Sequence, residues 1–252
     1  MKAFLQAISN DLIGSLHLKE ADRVLDLATG NGEPGLSIAR LVNKGKVIGV
    51  DFSLAMLSIA QRKAAEQGIT NFHTLYCEAS KLPFADNSFD AICCRNGYMF
   101  FPDLLTATRE VLRVLKKGGR IAVAVWGERQ NNAWVSLPLE VLEAYRGIVG
   151  STMEEISLFG CAKPYMLLEL FRQAGFRKVT QQALRGKVRY ESKEHYWQFI
   201  TGVTAPVALA IAQVEEALQE EVKASLFERL AERSIEGKVV FDYESLIIRA
   251  EK

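Results

Sequence analysis

The sequence predicts an α/β fold with a mostly parallel sheet, on three observations. Short apolar runs alternate with helical patterns from Val24 to Trp126, a glycine-rich turn joins the first run to the helix after it, and an aspartate closes the second run. That alternation is the mark of strand–helix–strand units, whose strands pair in parallel and are covered by their helices.

The first unit is Val24–Ile38, VLDLATGNGEPGLSI. Val24, Leu25 and Leu27 make a strand run, and Leu36, Ile38 and Ala39 open a helical pattern beyond Gly30, Gly32 and Gly35. Glycine permits positive φ and a close approach of ligand to backbone. Pro34 suits the first helical position, where its missing N–H would have been unpaired anyway. A polar ligand at that helix start would meet free N–H groups. The Gly30-x-Gly32-x-x-Gly35 spacing is common to nicotinamide, flavin and S-adenosylmethionine (SAM) sites. Asp51, 21 residues beyond Gly30, follows the run Val47–Val50, where a carboxylate can accept both ribose hydroxyls of an adenosine. Asp26, just before the turn, would repel a pyrophosphate and attract the amino group of a methionine-like ligand. The other reading of Asp26 is a cap on its own turn.

With these residues the sequence resembles the class I SAM-dependent methyltransferases, in particular the group typified by ubiquinone and menaquinone biosynthesis methyltransferases. The resemblance is carried by VLDLATGNG, VIGVDFS, EASKLPFADNSFDAI and REVLRVLKKGGRIAVAVW, between Val24 and Trp126. It implies a Rossmann-like seven-stranded sheet, mostly parallel with an antiparallel last strand, helices on both faces and a small helical lid. It also implies SAM as cofactor and S-adenosylhomocysteine as product. The cofactor-binding positions it indicates are Asp26, Ala28, Gly30, Asn31, Gly32, Asp51, Phe52, Met56, Glu78, Ala79, Arg95 and Asn96.

Composition narrows the alternatives. The chain has 252 residues, 49% hydrophobic, enough to bury a full core as one domain. A net charge of +1 with dispersed Lys and Arg leaves no electrostatic footprint for nucleic acid, so a small or apolar substrate is expected. The four cysteines, Cys77, Cys93, Cys94 and Cys161, form no C-x-x-C pair, and no histidine stands at metal-ligand spacing; reduced thiols and no metal are expected. No run approaches the roughly 20 apolar residues of a membrane span. Nor is there a signal-like amino terminus, so a cytoplasmic protein is expected.

Taken in order, residues 3–17 place Phe4, Leu5, Ile8, Leu12, Ile13 and Leu16 at helical spacing, giving an amphipathic helix over the sheet that by family resemblance often contributes to the substrate pocket. Ser53 is a good N-cap for a helix through Leu54, Met56, Leu57, Ile59 and Ala60 that stops at Gly68. Met56 is either core or, by the resemblance, an apolar contact for adenine. FHTLY, 72–76, is the third strand, with His73 a strand residue. Glu78-Ala79 stands where the family usually has Asp-Ala against the adenine, with Glu for Asp a departure. Asp90, in the loop before the fourth strand, Ala91–Cys94, fixes that loop by accepting backbone donors. RNGYMFFPD, 95–103, follows the fourth strand and should line the reaction centre, with Arg95 and Asn96 near the methionine portion and Tyr98 facing substrate. A helix Leu104–Leu115 ends at Lys116, Lys117 and Gly118-Gly119, and Ile121–Trp126 is the fifth strand.

Beyond Trp126 the resemblance weakens. Residues 20–126 form the expected SAM-binding core. Residues 131–160, with a helix Leu137–Val149, and residues 194–233 are helical insertions forming the lid. Pro164–Ala174 is a helix, and Phe176–Tyr190 and Val239–Ala250 are the last strands. The lid carries Trp134, Tyr145, His195, Tyr196, Trp197 and Phe199, which suit either packing or an apolar substrate.

The leading functional reading is methyl transfer from SAM to a small, partly apolar or aromatic acceptor by direct displacement, in which alignment supplies most of the acceleration. Should the acceptor need to lose a proton, His195, Tyr98 and Tyr145 are the candidate bases. Two alternatives stand beside it: a SAM-fold protein that does not methylate and instead catalyses a cyclisation or pericyclic step, and an NAD(P)-dependent oxidoreductase. Against the oxidoreductase stand Asp26, Glu78-Ala79 and the absence of a Tyr-x-x-x-Lys pair.

Overall fold

The strands form where apolar runs can be buried on both faces. In a computed structural model that describes residues 2–145, 158–202, 205–212 and 214–252, β1 (Arg23–Leu27), β2 (Lys46–Asp51), β3 (Phe72–Tyr76), β4 (Phe89–Arg95) and β5 (Leu115–Trp126) pair in parallel. β6 (Arg177–Tyr190) and β8 (Lys238–Glu251) complete the sheet in the order β3-β2-β1-β4-β5-β8-β6. β8 runs antiparallel to both neighbours. The two-residue β7 (Ser234–Ile235) forms a hairpin with the start of β8, an eighth strand beyond the seven expected.

The order reverses between β1 and β4. From β1 the chain proceeds outward to β2 and β3, whereas β4 leads the other way to β5. That reversal splays the connections apart at the carboxyl ends of β1 and β4 and opens a crevice there.

The helices between the strands are fixed by local chemistry. α1 (Lys2–Leu16) buries Phe4, Ile8, Leu12 and Leu16, one turn apart on one face, against the sheet. Arginines from the sheet hold it: Arg95 Nη1 donates to Ser9 Oγ at 2.8 Å, and Arg249 reaches Ser15 and Asp11. α2 (Gly35–Leu41) follows the glycine turn, starting one residue after Pro34, which occupies the N-cap position. Ser53 caps α3 (Leu54–Glu66) by accepting Met56 N–H at 3.3 Å, and Asp103 caps α4 (Leu104–Val114) by accepting Thr106 N–H at 2.9 Å. α4 ends one residue before the expected stop, because Leu115 already pairs with Phe89, and Lys116 bridges Asp90 at 2.6 Å. Asp90 also accepts Arg23 N–H at 2.9 Å, so this carboxylate ties the starts of β1, β4 and β5 together.

α5 (Ala133–Ala144) begins earlier than the expected Leu137, and the end of the helix expected to Val149 lies outside the described residues. α6 (Met166–Ala174) stops at Gly175, which takes φ +107°, and leads into β6. Between β6 and β7 lie α7 (Lys193–Gly202), α8 (Ala205–Ala212) and α9 (Glu216–Arg229). α5 packs on β8, α8 and α9. No described helix is long and apolar enough to cross a membrane.

Candidate active site

Two cavities, of about 370 and 320 Å³, open at the carboxyl ends of β1, β2 and β4 and share Ala28, Asp51, Phe52, Phe100 and Phe101. Together they are large enough for a nucleoside and a second small molecule. The first is bounded by β1, β2, β3 and the start of α4 and includes Tyr76, Cys77, Glu78 and Ala79. The second runs from the glycine turn (Thr29, Gly30, Asn31, Glu33) past Met56, Arg95 and Asn96 to Phe4, Trp126, Trp134, Leu158 and Phe199.

The turn between β1 and α2 owes its shape to two carboxylates. Asp26 is fully buried: Oδ2 accepts Thr29 Oγ1–H at 2.5 Å and Gly35 N–H at 2.9 Å, and Oδ1 accepts Cys93 Sγ–H at 3.2 Å. Burial pushes its carboxyl up to about 6, against the pull of those donors and of Arg95. Asp51 reaches the same turn from β2, its Oδ2 accepting Gly30 N–H at 2.8 Å and its Oδ1 accepting Ser53 N–H at 2.9 Å. Glu33 Oε2 accepts both the hydroxyl and the N–H of Ser37, at 2.7 and 3.3 Å. The first turn of α2 therefore spends donors of Gly35 and Ser37 on the protein's own carboxylates. The free helix start expected from the sequence is not there, and a pyrophosphate would meet carboxylates instead of amides.

Ala28 and Asn96, at the ends of β1 and β4, both take positive φ, +53° and +57°. For alanine this conformation is costly and is held by its surroundings, as is common where a ligand is cradled. The buried Asn96 Oδ1 has no hydrogen-bond partner among the described residues, and Asn96 lines the second cavity. A buried acceptor without a donor is expensive unless a ligand supplies one. Arg95 lines the same cavity, its guanidinium drawn down by burial and held up by Asp26 and Glu33.

Of the twelve cofactor positions expected from the sequence, ten line the two cavities and two do not. Asp26 lies under the turn with both oxygens engaged, the alternative reading of that residue. Gly32 takes φ +100°, and a Cβ there would meet Leu36 and Ala60, so its missing side chain makes room for helix packing. Gly30, at φ +53°, borders the cavity, and among the described residues nothing lies within 4 Å of where a Cβ would stand.

The three candidate bases lie outside both cavities. Tyr98 turns inward in a short 3₁₀ turn, packs on Phe101 and Phe171, and has its hydroxyl 3.3 Å from Thr108 Oγ1; burial holds its phenol well above the ordinary value. His195 sits at the start of α7, where Nδ1 accepts Glu191 N–H at 3.2 Å. Tyr145 ends α5 and packs against the core. Tyr196 is buried and donates to the Trp134 carbonyl at 2.7 Å, positioning a cavity residue without being one.

The aromatic end of the second cavity assembles residues distant in sequence. Trp134 stands 5.3 Å from Phe4, 4.9 Å from Trp126 and 6.1 Å from Phe199, ring centre to ring centre, in edge-on or tilted contacts. Among the described lining residues of this cavity the ionisable groups are Glu33, Asp51 and Arg95, all at its polar end. Glu33, Trp126 and Leu158 are absent from the sequence-based candidates; for Glu33 the available signal was its place inside the glycine turn. No cluster of three or more His, Cys, Asp or Glu suited to a metal occurs among the described residues.

Comparison with known proteins agrees with this geometry. A family model described as a methyltransferase domain matches residues 18–158. Demethylmenaquinone methyltransferase of Oceanobacillus iheyensis is 30% identical over 190 residues, 71% of this chain and 79% of that protein. Among solved structures, YcgJ of Bacillus subtilis superposes with a TM-score of 0.64 at 20% identity, covering 98% of each chain. The [4+2]-cyclase SpnF superposes with a TM-score of 0.59 at 24% identity, covering 98% of this chain and 80% of that one. At such identities these two structures share the fold alone. The chain belongs to the class I SAM-dependent methyltransferases.

Proposed function

We propose that the enzyme methylates a small apolar or aromatic acceptor, held in the aromatic end of the second cavity, by direct displacement from SAM held across the two cavities. One observation carries this reading: a single cavity joins the glycine turn to a wall of Phe4, Trp126, Trp134, Leu158 and Phe199.

The polar residues fit SAM. On this reading Asp51 holds the ribose, and Phe52, Glu78 and Ala79, which line the first cavity with it, hold the adenine, with the half-exposed Tyr76 and Phe100 offering further flat apolar surface. Met56, Gly30, Asn31, Arg95 and Asn96 border the space left for the amino-acid arm, where the orphaned Asn96 Oδ1 calls for a donor. When bound, SAM supplies a methyl group already activated by positive sulfur. The protein's part is then to align the acceptor and keep water out, which an aromatic enclosure does without a base. The described parts of residues 131–160 and 194–233 serve on this reading as the lid over that enclosure, with residues 20–126 as the cofactor-binding core; residues 146–157, 203–204 and 213 lie outside the described residues. The Oceanobacillus relative, named for a quinone acceptor, supports an aromatic substrate.

The test is S-adenosylhomocysteine formation across a panel of acceptors: reduced quinones, alkyl phenols, small polar amines, a peptide and an oligonucleotide. Turnover confined to the apolar aromatic members is expected. Faster turnover of a polar amine or a polymer overturns the acceptor class, and SAM binding with no product from any member favours the non-methylating alternative.

A further inference from the structure

We infer that Glu33 receives the α-ammonium group of the SAM amino-acid arm, a role the fold denies to Asp26; this rests on the placement of SAM proposed above. Asp26 is fully buried, and its oxygens already take Thr29, Gly35 and Cys93. Glu33 is the carboxylate of the same turn that lines the cavity. Ser37 secures its Oε2 through two hydrogen bonds, which fixes the carboxylate and leaves Oε1 without a hydrogen-bond partner among the described residues.

The charge opposite makes the arrangement suited to a zwitterion. Arg95 lines the same cavity and senses Glu33 electrostatically, yet the two form no ion pair within 4.0 Å; Arg95 instead donates to Ser9 Oγ and the Leu5 carbonyl. Opposite charges that share a cavity without closing on each other leave room for a ligand carrying both signs. A carboxylate of the ligand suits the guanidinium, and its ammonium suits Glu33. An ammonium has three protons to place, and Asn96, whose buried Oδ1 has no hydrogen-bond partner among the described residues, lines the same cavity and offers a second acceptor. The balance agrees as well: the carboxylates of Glu33 and Asp51 against the guanidinium of Arg95 leave this cavity one negative charge in excess, complementary to the single net positive charge of SAM.

Calorimetry with two product-like probes isolates the arm. S-adenosylhomocysteine and 5′-methylthioadenosine share the adenosine and the thioether and differ only by the aminobutyrate portion. In Glu33→Gln, which keeps an oxygen acceptor for Ser37, S-adenosylhomocysteine is expected to weaken tenfold or more, about 1.4 kcal/mol, with 5′-methylthioadenosine unchanged within twofold. Glu33→Asp, which keeps the charge, is expected to retain more of the discrimination than Glu33→Gln. Equal weakening of both probes in Glu33→Gln makes Glu33 a shaper of the turn and overturns the assignment, as does an unchanged ratio or an equal loss in both variants. A wild-type protein that binds neither probe fails the SAM placement itself, a different result from any of these.

Discussion

Gly35 N–H donates to Asp26 Oδ2 at 2.9 Å, so the start of α2 is clamped onto the carboxyl-terminal end of β1 by a carboxylate with no exposure to solvent. The clamp has a pH signature. Burial raises the folded-state carboxyl to about 6 from an unfolded value near 3.8. Between those values the folded chain holds a proton that the unfolded chain has released. The contribution of Asp26 is therefore fully present below about pH 3.8 and is lost as pH rises through about 6. Carboxylates held low by their partners, such as Asp90 and Glu110, act in the opposite sense at lower pH. Relative to Asp26→Asn, the wild type is expected to lose on the order of 3 kcal/mol between pH 4 and 7, at ~1.4 kcal/mol per unit. Urea unfolding of both proteins at half-unit pH steps measures it, and a constant difference would show that Asp26 does not titrate in this range.

Asp51 is expected to hold ribose while also holding the turn. Charge-assisted hydrogen bonds contribute roughly 1.5 to 3 kcal/mol each, so Asp51→Ala should weaken SAM at least about tenfold. The same change strips Gly30 and Ser53 of their acceptor, so stability falls too. The affinity is to be read on the folded fraction after a thermal melt; unchanged binding there removes Asp51 from the cofactor contacts.

Gly30 and Gly32 are expected to fail differently. A Cβ at Gly32 lies 2.8 Å from Leu36 Cδ1 and 3.3 Å from Ala60 Cβ, at φ +100°, so Gly32→Ala should lower stability with SAM affinity per folded molecule kept. At Gly30 the Cβ enters open space on the cavity edge. Gly30→Ala should cost only about 1 to 2 kcal/mol of left-handed strain but weaken SAM. Paired melts and titrations decide, and identical profiles for the two variants would count against this division.

What was legible in the sequence is what a short stretch of chain determines. The strand, glycine turn and helix at Val24–Ile38 and the aspartate closing β2 announce their geometry because their partners are near in sequence or set by the sheet. The aromatic end of the cavity was not legible. Helical spacing at Phe4 or Trp134 shows that a face is buried, not against what, and only the docking of α1, α5 and α7 around the end of β5 brings Phe4, Trp134 and Phe199 to Trp126. The same limit applies at 98–101: Tyr98, expected to face substrate, turns into the core whereas Phe100 and Phe101 reach the cavities, a choice made by one 3₁₀ turn. In α7 the neighbours Trp197 and Phe199 part likewise, because they point in different directions around the helix.

That last division sets the test of the acceptor site. Trp134 and Phe199 are 3% and 4% exposed and line the cavity, whereas Trp197 and Tyr145 only pack against the core. Trp134→Ala or Phe199→Ala empties volume from the acceptor side, at a cost of about 3 to 5 kcal/mol for a buried aromatic, so the milder Trp134→Phe and Phe199→Leu are the working variants. They are expected to raise the acceptor KM or lower kcat severalfold with SAM affinity unchanged, since the polar contacts lie at the other end. Trp197→Ala and Tyr145→Ala are expected to move the melting temperature and leave both kinetic constants per folded molecule intact. Equal kinetic losses in the two pairs would mean that the aromatic helices act as one packed unit; normal kinetics in Trp134→Phe and Phe199→Leu would move the acceptor elsewhere on the crevice.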